Sequence, residues 1–215
     1  MVEYLVEDVG RRYVPYNEGL ALQDAVHTAV TQGTSGDTVI LLEHTSVYTA
    51  GKRTEESEKP DNGTPVIDVN RGGKITWHGP GQLVGYPIVR LTDPIDVVRY
   101  VRDLENALIA VLDDIGVDGH QVTGRSGVWV ADGSSEAKIA AIGVRVADGV
   151  TMHGFALNCS NSLEPFGHIV ACGIRDAGVT TISRELGRTA DPVELVPFVQ
   201  HRLNQTFAAR AGVAA

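Results

Sequence analysis

A chain of 215 residues, 43% hydrophobic and 21% charged, is long enough for one well-buried core and short for two, so a single domain over residues 1–215 is expected. A formal net charge of −9 argues against non-specific nucleic-acid binding, and no apolar run approaches the roughly 20 residues of a membrane span, so neither nucleic acid nor membrane is an expected partner. Two cysteines make no disulfide framework, and the start MVEYLVEDVGRRY lacks a basic segment followed by an apolar one; together these predict a cytoplasmic protein with free thiols.

Residues 4–9 read as a short first strand. Over 16–32, Leu20, Ala25, Val26, Ala29 and Val30 recur at helical spacing, and GTSGD ends the pattern. TVILL at 38–42 is a continuous apolar run, the signature of a buried strand. Glu43 and His44 follow at once; His44 is an auxiliary site candidate and equally a hydrogen-bonded structural histidine. KRTEESEKPDNG at 52–63 reads as an exposed, mobile loop, after which a strand resumes at 66–69.

Residues 71–89, RGGKITWHGPGQLVGYPIV, organise the chain. Two apolar runs flank His78-Gly79-Pro80-Gly81-Gln82, where Pro followed by Gly sets up a type II turn. The expectation is two strands joined by a rigid turn carrying His78 and Gln82. The spacing matches neither GxxxxGK[ST] nor GxGxxG, so it is not a phosphate loop.

Asp93-Pro94 is expected to open the next helix as N-cap and first position. Ile95, Val98, Val101, Leu104, Leu108, Val111, Leu112 and Ile115 make its apolar stripe, and Gly116 lies past its end. Its charges, Glu105 among them, read as a solvated face. From Gly127, the runs GVWV, KIAAIGVRV and VTMHGFALN, separated by ADGSSEA and ADG, predict an antiparallel meander. An irregular stretch to Gly178 follows, then a short helix at 181–186. Asp191-Pro192 caps a last helix to about Ala211, with Pro197 inside it as a kink or a delayed start. Hairpin-joined strands between a few helices indicate an α+β, or mixed α/β, fold: a largely antiparallel or mixed sheet flanked by helices.

Two residue types carry candidate chemistry. Cys172 sits in the apolar run IVACGI; such a cysteine is ordinarily a small buried hydrophobe, and Cys159, near a strand end, is read as structural. Lys138 opens a strand, where a lysine is ordinarily a surface charge. The seven histidines contain no HExxH or HxxxH, and the two cysteines no CxxC, so no metal is expected. An acidic partner would need a local basic patch, for which Arg53, Arg71, Lys74 and Arg145 are candidates.

The stretch RGGxxTWHGPGQxxxYPI, with Lys138-Ile-Ala-Ala-Ile-Gly143, His153-Gly-Phe-Ala-Leu-Asn158 and Cys172-Gly-Ile174 in matching order, resembles the octanoyltransferases of lipoate biosynthesis from about Glu43 to Ile182. In one departure, Ala171 stands where that family has Pro before its reactive Cys, which bears on the stiffness of the loop. The resemblance implies the fold shared with lipoate ligases and the catalytic module of biotin ligases. It implies Cys172 as the nucleophile that takes the acyl group as a thioester, with Lys138 against it as base. It implies substrate contacts at Arg71, Gly72, Gly73, Lys74, Ile75, Thr76, Trp77 and His78, at Ala141, Ile142 and Gly143, and at Gly154, Phe155 and Ala156. In this reading small residues line an acyl tunnel, Ile142 and Phe155 wall it, and glycine N–H groups hold an oxyanion. His78 and His153 are expected to donate hydrogen bonds to the acyl carbonyl or to position the lysine.

The implied donor is octanoyl-acyl carrier protein. The implied acceptors are lipoyl domains of 2-oxoacid dehydrogenase complexes and the H protein of glycine cleavage. No ATP, metal or other cofactor is implied beyond the phosphopantetheine on the donor, and the chain is expected to act as a monomer. Competing readings are an ATP-dependent lipoate or biotin ligase of the same fold, a thiol acyl hydrolase, and a non-catalytic binding module.

Overall fold

The computed structural model describes residues 2–60, 63–170, 173 and 176–212. Strand β1 (Glu3–Glu7) leads to helix α1 (Tyr16–Gln32), then β2 (Thr38–Leu42) and β3 (Val47–Ala50). Strands β4 (Val66–Asp68), β5 (Thr76–His78) and β6 (Gln82–Ile88) precede helix α2 (Val97–Asp114). The meander β7 (Val128–Asp132), β8 (Ser135–Ala147) and β9 (Val150–Asn158) follows. A two-residue β10 (Gly178–Val179), a short α3 (Ile182–Leu186) and α4 (Pro192–Gly212) complete it. The fold is mixed α+β, as the sequence pattern indicates.

The large sheet has seven strands in the order β1-β2-β6-β9-β8-β10, with β7 also on β8; the small one is β4-β3-β5. β2 explains why a five-residue apolar run is needed. Val39 and Leu41 enter the core beneath α2 and α4, while Ile40 and Leu42 enter the cluster shared with Val26 and Val30 of α1. Strand side chains alternate between faces, so a strand covered by helices on both sides must be apolar throughout. Helix α1 ends at Gly33 (φ 71°), whose N–H reaches back to Ala29 O and Val30 O, the left-handed stop that glycine favours.

Several expectations require correction. β5 and β6 do flank a tight turn, with Gln82 N–H donating to Gly79 O at 3.2 Å and Gly81 at φ 83°. They do not pair with each other, however: β5 pairs with β3 in the small sheet and β6 with β2 and β9 in the large one. The turn is therefore the junction between sheets. β3 itself was not expected; its four residues follow His44, Thr45 and Ser46 with no glycine or proline to mark a new element. Helix α2 starts three residues later than the Asp93-Pro94 signal, because Asp96 is the residue whose side chain accepts the Arg99 N–H. Ile95 and Val98 accordingly lie outside the buried stripe, 43% and 73% exposed. Glu105 is not on a solvated face: it is fully buried. The 52–63 loop is not uniformly exposed either, since Glu58 is buried and closes a capping box with Glu55. Helix α4 starts at Pro192 and runs through Pro197.

Candidate active site

A cavity of about 240 Å³ lies against β8 and β9, with the 71–78 segment, Tyr16 of α1 and residues 124–126 bordering it. Most of the candidates meet there: Arg71, Gly73, Lys74, Thr76, His78, Lys138, Ala141, Ile142, Gly143, His153, Gly154, Phe155 and Ala156. Cys172 lies outside the described residues, as do Ala171 and Ile174. Its neighbour in sequence, Gly173, packs against Lys74: a Cβ added there would lie 2.4 Å from Lys74 Cδ. Cys159, read as structural, is buried in the core, donates to Leu157 O, and has its thiol pushed up to about 12 by burial.

Strand geometry sorts the remaining candidates. Thr76 and His78 face the cavity, whereas Ile75 and Trp77 enter a satellite cluster with Tyr48, and Trp77 donates its indole N–H to Ser46. Ile75 and Trp77 are thus packing residues. On β8 and β9, Ala141 pairs with Ala156 and Gly143 with Gly154. Ile142 and Phe155 alternate with these and join the core cluster beneath α2, and the Phe155 ring lies over Gly85, so they brace the wall from behind. Gly72 does not line the cavity. Its N–H is committed to Val144 O at 3.0 Å, which removes it as an oxyanion donor and straps the segment onto β8.

The basic candidates also divide. Arg71 is 7% exposed, and its guanidinium donates to Thr49 O, Thr49 Oγ1, Gly72 O and Lys74 O. It braces the 71–74 segment and offers no docking surface. Lys74 is engaged by Glu58 at 2.6 Å and Glu55 at 2.9 Å, which hold its pKa above the usual lysine value. Arg145 is not in the lining, whereas exposed Arg53 is. Tyr16, Tyr86 and Arg125 are lining residues that the sequence reading did not assign. Tyr86 lies inside the YPI motif and on the same side of β6 as Val84 and Ile88, so alternation alone marks it; Arg125, flanked by Gly124 and Gly127, sits in a polar break between α2 and β7. It pairs with Asp176 at 2.6 Å.

Residues 15–204 match the profile of the lipoyl protein ligase A/B catalytic domain. This chain belongs to that family. An octanoyltransferase of Clavibacter michiganensis subsp. michiganensis is 60% identical, the match covering 94% of this chain and 89% of the relative; one of Thermobifida fusca is 55% identical over 94% and 88%. A putative lipoate protein ligase of Thermoplasma acidophilum with bound lipoic acid superposes with a TM-score of 0.73 at 14% identity, covering 96% of this chain and 85% of that one. Biotin protein ligase of Aquifex aeolicus gives 0.52 at 11% identity, over 96% and 67%. These solved structures share the fold.

In this lipoyl protein ligase A/B domain the cavity histidines are kept neutral. Burial pushes His78 down to about 3, with His44 and Arg71 adding to the shift. Its Nδ1 is 2.9 Å from Gln82 Oε1, Gln82 Nε2 donates to Asn158 Oδ1, and Asn158 Nδ2 donates to Thr180 O. That chain assigns the imidazole proton to Nδ1 and leaves Nε2 an acceptor. His78 therefore does not donate to an acyl carbonyl. His44 is similarly lowered to about 4 by burial; its Nδ1 faces Val14 O and its Nε2 the Tyr86 hydroxyl at 2.7 Å, so Tyr86 is the donor and His44 a buttress behind it. His153 is lowered to about 4, by burial first and then by Arg71 and Arg145. It holds φ 56° within β9, a conformation β-strands avoid. The register that pairs Gly85 with Phe155 brings Pro87, which has no N–H, opposite it, and its own N–H turns to Gln23 Oε1 instead.

Lys138 is 8% exposed, between Trp129 of β7 and Val179 of β10. Its Nζ lies 4.6 Å from the Trp129 ring centroid. No hydrogen bond or ion pair involves Nζ among the described residues. Nor do any three of their His, Cys, Asp or Glu side chains gather as a metal site, and no helix among them is long and apolar enough to cross a membrane.

Proposed function

We propose that this chain is an octanoyltransferase that moves an octanoyl group from acyl carrier protein to the ε-amine of one lysine on a lipoyl domain, with Cys172 as nucleophile and Lys138 as base. The observation that carries the reading is Lys138: a buried amine without a hydrogen-bonding partner among the described residues, at the wall of a cavity that Ala141, Gly143, Gly154 and Ala156 help to line, in a chain 60% identical to a named octanoyltransferase. An amine placed at the cavity wall is in position to serve as the general base of acyl transfer.

In the first step the Cys172 thiolate, its proton passed to Lys138, attacks the thioester carbonyl. The new C–S bond forms on Cys172 and the C–S bond to the pantetheine sulfur breaks; that sulfur leaves with a proton. In the second step the acceptor amine attacks the acyl-Cys172 carbonyl, a C–N bond forms, the C–S bond breaks, and Lys138 carries the amine proton to the departing thiolate. The product amide is more stable than the thioester, which drives the transfer, and the atoms balance without ATP or metal. Acceptors are the lipoyl domains of 2-oxoacid dehydrogenases and the glycine cleavage H protein, the enzyme acts as a monomer, and the setting is cytoplasmic. The test is intact mass after mixing with octanoyl-acyl carrier protein: a hydroxylamine-labile octanoyl adduct that maps to Cys172, persists in Cys159→Ala and is absent from Cys172→Ala. An adduct that survives in Cys172→Ala refutes the assignment.

A further inference from the structure

Glu105 is the one acidic residue of α2 that is fully buried, and its partners lead to Lys138. It accepts the Gly127 N–H on Oε1 at 2.9 Å and the Arg102 guanidinium on Oε2. Gly127 stands at φ 104°, beside a register shift between Val128 and Trp129 where β7 meets β8. It also lies over the Lys138 side chain: a Cβ added at Gly127 would be 3.3 Å from Lys138 Cε, 3.5 Å from Lys138 Cδ and 2.4 Å from Ala140 O. The Lys138 amine has no hydrogen bond among the described residues to fix it, so there the backbone over its methylenes and the Trp129 ring define where it points. The Arg102 guanidinium offsets the cost of burying the carboxylate and leaves Oε1 to hold the Gly127 N–H.

We infer that Glu105 is a positioning residue for Lys138, acting through Gly127. The inference rests on the proposed role of Lys138 for its kinetic consequence, though not for its structural one. Removing Glu105 frees the backbone at Gly127, widens the space beside the lysine stem and lets the amine swing out of the cavity.

Two readouts separate the possibilities. Competitive acetylation by acetic anhydride, quantified by mass spectrometry with exposed Lys52 as internal reference, reads the placement of Lys138 without reference to activity. Glu105→Ala is expected to raise Lys138 labelling severalfold and to lower kcat about 10–100-fold, while KM for the acyl donor stays within about twofold. Glu105→Gln keeps an oxygen for the Gly127 N–H and should return both values to near wild type. Glu105→Asp, one methylene short but still charged, should behave like Glu105→Ala and serves where the alanine variant does not fold. If Glu105→Asp or Glu105→Ala lowers Tm yet leaves Lys138 labelling and kcat at the wild-type values, Glu105 is only a structural residue and the inference is overturned. If labelling rises as expected but Lys138→Ala itself acylates at the wild-type rate, the base role of Lys138 fails while the positioning of Lys138 by Glu105 stands.

Discussion

His78 and Lys138 line one cavity and are held there by different means. His78 is fixed by a hydrogen-bond chain through Gln82 and Asn158 to the backbone at Thr180, and its proton is committed along with it. Lys138 is fixed by packing, against Trp129 on one side and Gly127 on the other, and its nitrogen is committed to no acceptor among the described residues. The network at His78 gives geometry at the expense of acid–base freedom, because a lowered pKa and a satisfied Nδ1–H keep the ring neutral. Packing at Lys138 gives geometry without a hydrogen-bonding partner among the described residues. Under the proposed reaction, this division would supply shape from one group and proton transfer from the other.

The strongest way to break the comparison is Lys138→Arg. Arginine keeps the charge and some of the stacking on Trp129 but is no base near neutral pH. Both half-reactions should fall by about 10²–10⁴-fold in single-turnover assays, the range of a lost general base. Acylation near the wild-type rate would make the role of Lys138 electrostatic. On the His78 side, Gln82→Ala removes the acceptor of the imidazole proton and the donor to Asn158, and should cost about 1–3 kcal/mol in urea unfolding. A change within about 0.5 kcal/mol, the spread of ordinary surface substitutions, would show that the network does not hold the junction.

Acid provides a third test. His44, His78 and His153 have folded-state values of about 4, 3 and 4, below the unfolded value near 6.5. Between those limits the unfolded chain binds more protons, so stability is fully present above pH 6.5 and is lost as pH falls through the window toward 4 and below. His78→Gln should flatten part of that slope; an unchanged slope would mean that His78 does not titrate on unfolding. The smallest effect concerns the donor. Arg53 is an exposed cation in the cavity lining, whereas Arg71 is internal and Lys74 is paired. Arg53→Glu should raise KM for carrier-bound substrate severalfold at low salt, with little change for a short pantetheine thioester. Equal effects on both substrates would remove Arg53 from docking.

Much of this was legible in the sequence, and the exceptions have physical reasons. Helical spacing located α1 and the continuous apolar run located β2, because both patterns follow directly from which faces are buried. The motif blocks at 71–78, 138–143 and 153–156 converge on one cavity. What a motif does not say is which side of a strand each member faces; alternation puts Thr76 and His78 on one side and Ile75 and Trp77 on the other. That β5 and β6 enter different sheets depends on partners distant in sequence, and a Pro-Gly turn looks alike in a hairpin and at a junction. Glu105 was misread from its charge, although it falls four residues after Val101 and three before Leu108, inside the apolar stripe. His153, with its left-handed backbone, stands opposite Pro87 of another strand, a pairing that no local pattern displays.

The proposed transfer runs through an acyl-enzyme rather than through an adenylate. The direct measurement is to isolate the octanoylated protein free of acyl carrier protein, add an unmodified lipoyl domain without ATP, and follow both masses with time. The lipoyl domain should gain an octanoyl group, on its acceptor lysine, as fast as the protein loses one. A lipoyl domain that stays unmodified until ATP and free octanoate are supplied would contradict it.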